Sequence, residues 1–85
     1  MRKKFRPETA GCLVRMEAVE ESGETFSVAG ETYFTPVQLA YLLDTSHRTV
    51  ATLTSSGRIS HTEFGKVIRY QKSDVLAFIG ALVTV

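Results

Sequence analysis

The clearest hydrophobic pattern in the chain lies after residue 34 and predicts two short helices in succession. Leu39, Ala40 and Leu43 follow the spacing i, i+1, i+4, which places their side chains on one inward face of a helix. Val50 and Leu53 lie one turn apart and give a second inward face. The rest of the second helix is polar or small and is expected to face outward: His47, Arg48, Ala51, Thr52 and Ser55.

Residue types at the ends of these helices support the same boundaries. Thr35 suits the N-cap of the first helix, Pro36 suits its first position, and Gln38 completes a capping box with Thr35. Ser46 is the N-cap candidate of the second helix, and Gly57 can take the left-handed conformation that ends it. A turn of about three residues joins the two helices, which predicts a helix-turn-helix.

A β-hairpin and a last helix are predicted after the second helix. Gly65-Lys66 is a turn signal between two β-prone runs within residues 58–70. Beyond the hairpin, a cap and three core-facing positions predict the last helix: Ser73-Asp74 as the cap, then Val75, Leu76 and Ile79. The order from residue 35 is thus helix, turn, helix, hairpin, helix.

The segment before residue 35 carries a weaker pattern with two interpretations. Alternation would align Val14, Met16 and Ala18 on one face of a strand, whereas a helical period would align Met16 with Leu13 and Glu20. Turn-forming pairs and a β-prone run follow: Ser22-Gly23, Thr25-Phe26-Ser27-Val28 and Ala29-Gly30. We interpret the segment as short strands.

These elements predict a small α+β fold, a winged helix-turn-helix with a short N-terminal extension of β character. Residues 34–85 form the winged helix-turn-helix domain, with the hairpin as its wing. Residues 1–33 form the extension. The length of 85 residues suffices for one such domain and not for two.

Composition argues against several classes of protein. Charged residues make up 22% and hydrophobic residues 44% of the chain, which is not the composition of a disordered protein. Cys12 is the single cysteine, so no internal disulfide can form. No apolar run approaches the roughly 20 residues that a membrane span needs. Because the basic start is followed by Pro7 and Glu8 instead of an apolar stretch, a signal peptide is not expected either. We expect a cytoplasmic protein without a membrane partner.

The net charge of +1 conceals three segments of different sign. Residues 1–6, here called the basic arm, hold four cationic side chains: Arg2, Lys3, Lys4 and Arg6. Residues 7–34 hold one arginine against six glutamates, a net charge of −5, and residues 35–85 have a net charge of +2. Local charge sets the field that a phosphate meets, so a polyanionic partner is compatible with this sequence.

A short polar helix held outward suits the DNA major groove, which is about 12 Å wide and admits one helix. Arg48 is the candidate for base recognition, because its planar guanidinium can bond guanine O6 and N7 together. His47, Thr49 and Thr52 are candidates for base or phosphate contacts. The helix N-terminus at Ser46 offers backbone donors to a phosphate. These residues predict a DNA-recognition helix.

Cationic residues outside this helix are candidates for backbone contacts. Lys66 at the hairpin tip and Arg69 on the returning strand are placed to meet phosphate oxygens or the neighbouring minor groove. The basic arm is either a solvated tail or a minor-groove probe.

Six short pieces occur in order along the second half of the chain: Phe34-Thr35, Leu42-Leu43, Ser46-x-Arg48-Thr49-Val50-x-x-Leu53, Ser56-Gly57-x-Ile59, Phe64-Gly65-Lys66-x-Ile68-Arg69-Tyr70 and Ser73-Asp74-Val75-x-Ala77-Phe78. With this spacing, residues 34–79 resemble the phage and plasmid excisionase family of recombination directionality factors, which have a MerR-like winged helix-turn-helix. The resemblance implies that residues 46–55 are the recognition helix and residues 58–70 the wing.

The same resemblance implies a non-catalytic protein of the bacterial nucleoid. Such a protein binds repeated sites on double-stranded DNA, associates with further copies of itself there, bends the DNA and directs a phage integrase towards excision. One winged module covers only about 600–1,000 Å² on DNA, so neighbours bound side by side are expected.

Four positions depart from the family pattern. Asp44 and Thr45 stand where the family usually has a glycine and a β-branched or apolar residue in the turn, and Asp accepts the left-handed conformation less readily than Gly. We therefore expect a distorted turn. Thr52 and Val67 stand where basic residues are frequent, which lowers the expected attraction to phosphates. The acidic segment, residues 7–34, has no counterpart in the family.

Two other functions stay open at this stage. One is a small phage or plasmid transcription regulator. The other is a protein interaction module without DNA binding, which would use the acidic segment and an apolar stripe near the C-terminus: Phe78, Leu82, Val83 and Val85. An enzyme is not predicted, because no nucleophile comes with a paired base. His47 and His61 lack a third spaced ligand, so we expect no metal, cofactor or small-molecule substrate.

Overall fold

The computed structural model describes residues 9–83, which form four helices and one four-stranded antiparallel sheet. The elements are α1 (Thr9–Glu21), β1 (Phe26–Val28), β2 (Glu31–Phe34), α2 (Pro36–Leu42), α3 (His47–Ser55), β3 (Thr62–Phe64), β4 (Val67–Gln71) and α4 (Lys72–Val83). From α2 onward the order is helix, helix, hairpin, helix. The α+β class and the winged helix-turn-helix arrangement are therefore confirmed.

Helix α2 begins where its sequence predicts. The Thr35 hydroxyl accepts from the Gln38 backbone N–H at 3.0 Å, and the Gln38 side chain accepts from the Thr35 N–H at 2.9 Å, which is a complete capping box. Pro36 occupies the first helical turn. Phe34 and Leu39, on either side of the cap, are both fully buried. The cap thus fixes the direction in which the chain leaves the sheet.

The hydrophobic core is built around α2, which packs against α1, α3 and β4. Leu39 and Leu43 from α2 are buried together with Val50 and Leu53 from α3. Further buried side chains come from every layer of the fold: Cys12, Met16, Phe34, Ala40, Leu42, Ile59, Tyr70, Val75, Phe78 and Ile79. Both inward stripes predicted for the paired helices are confirmed.

The strand interpretation of the N-terminal segment is wrong for residues 9–21, which form α1. Cys12 and Met16 are buried and Val19 packs beside them, at the spacing i, i+4, i+7 of one helical face. Val14, which alternation would have paired with Met16, is 66% exposed. The Arg15 Nε donates to the Leu42 carbonyl at 3.1 Å and so ties α1 to the end of α2.

The strand interpretation is confirmed for residues 26–28, which pair with residues 31–34 across the predicted turn at Ala29-Gly30. Strand β2 in turn pairs with β4, so the sheet order is β1-β2-β4-β3. An aromatic cluster joins this N-terminal hairpin to the wing, with the Phe64 ring centroid 5.4 Å from Phe26 and 5.1 Å from Tyr33. The extension therefore supports the wing with two additional strands.

Helix α4 differs from its prediction in two respects. It starts at Lys72, directly after β4, so Ser73-Asp74 lies inside its first turn and not at its cap. Val75 and Ile79 are buried as predicted, but Leu76 is 39% exposed and Phe78 takes the inward position instead. Val85, the last residue of the proposed apolar stripe, lies outside the described residues.

Candidate nucleic-acid interface

Helix α3 presents an exposed polar side while its apolar side is anchored in the core. Val50 and Leu53 are buried against the rest of the domain. The residues predicted to face outward are all exposed: His47, Arg48, Ala51, Thr52 and Ser55. Helix α1, which carries much of the acidic segment, packs on α2 and α4. The outer side of α3 is thus available to a ligand.

The turn before α3 is regular in spite of its unusual residues. Asp44 has a φ of 54°, and the Thr45 N–H donates to the Ala40 carbonyl at 2.9 Å. The same geometry ends α3, where Gly57 has a φ of 77° and the Arg58 N–H donates to the Leu53 carbonyl at 2.9 Å. Both are Schellman-type ends. Our expectation of a distorted turn was wrong, because Asp44 adopts the left-handed conformation that glycine usually supplies.

The hydroxyl groups of the α3 surface are engaged in hydrogen bonds within the helix. Ser46 is the N-cap, as predicted, and its Oγ accepts from the Thr49 N–H at 3.1 Å and lies 3.1 Å from the Thr49 Oγ1. The Thr52 hydroxyl donates to the Arg48 carbonyl at 3.1 Å. Among the described residues, the Arg48 guanidinium has no hydrogen bond or ion pair. Arg48 therefore keeps all its donors for a ligand.

The wing places its two cationic candidates differently. Lys66 is exposed at the tip, next to Gly65 with its φ of 66°. Arg69 lies on the outer face of the sheet, because its neighbours Ile68 and Tyr70 point inward. Its Nη1 donates to the Ile68 carbonyl at 2.8 Å. This bond uses one of the five N–H donors of the Arg69 guanidinium, so the others are left for a ligand.

One contact between α3 and the wing was not visible in the sequence. The Thr54 hydroxyl donates to the Val50 carbonyl at 2.9 Å, which uses its single proton. The buried Tyr70 hydroxyl, 2.5 Å from the Thr54 Oγ1, must therefore donate to it. This bond links helix α3 to the returning strand of the wing. The two residues are 16 positions apart, and no local pattern links them.

A groove of about 500 Å³ separates α3 from the wing. His47, Ala51 and Ser55 line it from the helix, and His61 and Ile68 line it from the wing side. His61 also lies 3.4 Å from the Glu63 carboxylate. Helix α3 and the wing thus stand on either side of an open channel.

The basic arm, with its candidates Arg2, Lys3, Lys4 and Arg6, lies outside the described residues.

Within residues 9–83 no three histidine, cysteine, aspartate or glutamate side chains come together as a metal site. No helix in that range has the length and apolar character needed to cross a membrane.

Comparison with known proteins places this arrangement in a family. A family model for the helix-turn-helix domain matches residues 33–82, more than half of the chain. That family includes excisionase-like DNA-binding proteins and is typically non-enzymatic. No curated protein and no solved structure matches the chain significantly. The domain supports sequence-specific DNA binding, and by this match the chain belongs to the helix-turn-helix domain family.

Proposed function

We propose that this protein is an architectural DNA-binding protein of the excisionase type. The observation that carries the proposal is the exposed outer side of α3, where Arg48 is free of internal partners. The helix enters the major groove, and Arg48 reads a guanine through its two parallel donors. His47 directly precedes Arg48 and Thr52 follows it by one helical turn, and both meet the adjoining bases or phosphates.

The ends of the recognition helix and the wing position the protein on the DNA backbone. At the start of α3, the Ser46–Thr49 cap leaves backbone N–H groups directed at a phosphate. Lys66 at the wing tip meets a second phosphate across the channel between α3 and the wing. Arg69 meets a third through the guanidinium N–H groups that the Ile68 carbonyl does not use. Such contacts set register and affinity, whereas base contacts set sequence preference.

The architectural role follows from the small area of DNA that one winged domain can cover. A single winged domain covers too little DNA for strong discrimination, so copies bind cooperatively to tandem sites. An array of copies that bends the duplex brings distant integrase-binding sites together. The protein partner of this DNA-bound array is then a phage integrase. The resemblance of residues 34–79 to excisionases supports this finer assignment over a general DNA-binding role.

The first test is footprinting on the attachment region of the genetic element that encodes the chain. The proposal predicts several protected sites at regular spacing, with enhanced cleavage between them, and a bend in a circular-permutation mobility assay. Protection of one promoter site without a bend would instead identify a transcription regulator.

A second test is a salt titration with a random duplex. DNA binding through phosphates must weaken steeply as salt increases, with a slope of about −0.9 for each phosphate contact. Absence of salt-dependent binding would contradict the DNA role and favour a protein interaction module.

A further inference from the structure

The side of the molecule formed by α1 and α4 carries an apolar groove that the DNA-binding role does not use. Leu13 and Val14 from α1 and Leu76 from α4 line it and are 44%, 66% and 39% exposed. The groove has a volume of about 390 Å³ and shares no lining residue with the channel beside α3. Three large aliphatic side chains exposed next to one another are the kind of surface that binds another protein segment.

Charge at the rim of this groove selects for a cationic segment. Glu20 is neutralised by Lys72, whose Nζ lies 3.0 Å from both carboxylate oxygens. Glu17 lines the groove and Glu21 lies one turn further along α1; both are exposed and have no ion pair among the described residues. An occupant therefore needs an apolar side chain for the floor and positive charges for the rim.

We propose that this groove binds the basic arm of a second copy of the chain. The arm, residues 1–6, has Phe5 among its four cationic residues. It carries four positive charges, against the net charge of −5 in residues 7–34, so the chain holds both halves of the contact. Phe5 packs on Leu13, Val14 and Leu76, while the neighbouring cations face Glu17 and Glu21.

A second copy fits the groove better than the arm of the same chain. Arg6, Pro7 and Glu8 separate Phe5 from α1, and the four Cα–Cα steps from Phe5 to Thr9 span about 14 Å at most. A helix with its side chains is about 10–12 Å across, so little chain is left for a reversal along the side of its own α1. The arm of a neighbouring copy needs no reversal.

Docking of this kind is head-to-tail. Each copy offers one arm and one groove, so a copy can bind one neighbour through its arm and another through its groove, and the contact can continue along a row. The contact is small and therefore weak in free solution, but copies held on one duplex meet at a far higher effective concentration. It would supply the neighbour contact for tandem binding, although its existence does not depend on DNA.

NMR titration of two complementary variants tests the contact without DNA. The acceptor is the ¹⁵N-labelled chain with residues 2–6 deleted, which has a groove and no arm. The donor is the unlabelled full chain with Val14→Lys and Glu17→Lys, two exposed positions, which has an arm and a blocked groove. We expect the amide signals of Leu13, Val14 and Leu76 in the acceptor to shift saturably, with an affinity that falls about tenfold from roughly 0.02 to 0.3 M salt.

A donor that has both the deletion and the blocked groove is the matched control and should cause no shifts. If the donor that keeps its arm causes no shift of the groove amide signals in the acceptor, the proposal is overturned. A second outcome would also overturn it. If the groove amide signals of the full chain differ from those of the deleted chain by an amount that does not change with protein concentration, the arm is docked on the groove of its own chain.

DNA is the competing ligand for the arm, and a duplex too short for two copies tests it. We expect deletion of residues 2–6 to leave the affinity for that duplex within about twofold. A loss of tenfold or more would assign the arm to DNA and overturn the proposal, while the α3 surface would keep its role.

Discussion

The α3–wing surface and the α1–α4 surface differ in chemistry although they share one small core. On the first, Arg48 and Lys66 are exposed and unpaired within the described residues, beside hydroxyl groups already bonded inside the helix. On the second, the exposed groups are aliphatic or acidic, and the lysine present, Lys72, is held by Glu20. A net charge of +1 therefore describes neither surface. Separate surfaces are what the proposed binding of DNA and of a neighbouring copy at the same time requires.

The largest expected effect comes from a residue on which both surfaces depend. Leu39 is fully buried in α2, the helix that contacts both α1 and α3. Leu39→Ala leaves a cavity and should lower the free energy of unfolding by about 2–5 kcal/mol, a large part of the stability of a small domain. Thermal denaturation by circular dichroism measures it. Val37→Ala, at an exposed position of the same helix, is the control and should change stability little. Equal effects of the two variants would contradict a core centred on α2.

Next in size is Arg48→Ala, which should affect the α3 surface alone. Loss of its two donors should cost about 1–3 kcal/mol of binding to a site selected from random sequences and should broaden the sequence preference. Electrophoretic mobility shifts with the selected and mismatched duplexes measure both. Arg48→Lys keeps the charge but not the planar donor pair, so it should restore nonspecific affinity without the preference. Unchanged binding of Arg48→Ala to the selected site would show that α3 does not read bases.

The sequence predicted the α3–wing surface better than the α1–α4 surface for a physical reason. Helix α3 and its turns depend on local signals such as the Ser46 cap and Gly57, which a sequence displays directly. In α1 the buried face is Cys12, Met16 and Val19, but exposed Leu13 and Val14 obscure its period. The strand interpretation of this segment followed the alternation of Val14, Met16 and Ala18, which does not match the buried face of the helix.

Contacts between distant residues were equally hidden. The Tyr70–Thr54 bond and the pairing of β2 with β4 join segments that no local pattern relates. Leu76 was placed in the core because it is apolar, whereas its position on α4 leaves it at the groove. The sequence thus predicted which segment forms the exposed polar helix. Only the structure shows which apolar residues remain exposed on the surface.

Two lysines allow a direct comparison of the surfaces. Lys66→Ala should reduce the salt slope of DNA binding by about 0.9, because one phosphate contact is lost. Lys72→Ala removes the same charge from the α1–α4 surface and should leave that slope unchanged, since Lys72 is paired with Glu20. Fluorescence anisotropy with a random duplex over a salt series measures both. Equal changes in slope would mean that only total charge matters and that the two surfaces are not distinct.

The smallest effect is expected at Asp44, an acidic residue at the edge of the cationic surface. Its carboxylate is exposed in the turn that leads into α3, two residues before the Ser46 cap, where it repels an approaching phosphate. Asp44→Asn removes the charge, and asparagine also accepts the left-handed conformation that the φ of 54° requires. DNA affinity should therefore increase by less than about 1 kcal/mol at low salt, and the gain should vanish at high salt.

Asp44→Gly separates the effect of the charge from that of the backbone conformation, because it should give the same gain in affinity and add stability at the turn. A loss of affinity in both variants would mean that Asp44 contacts the DNA, for example as an acceptor for a cytosine amino group, and that the cationic surface extends into the turn.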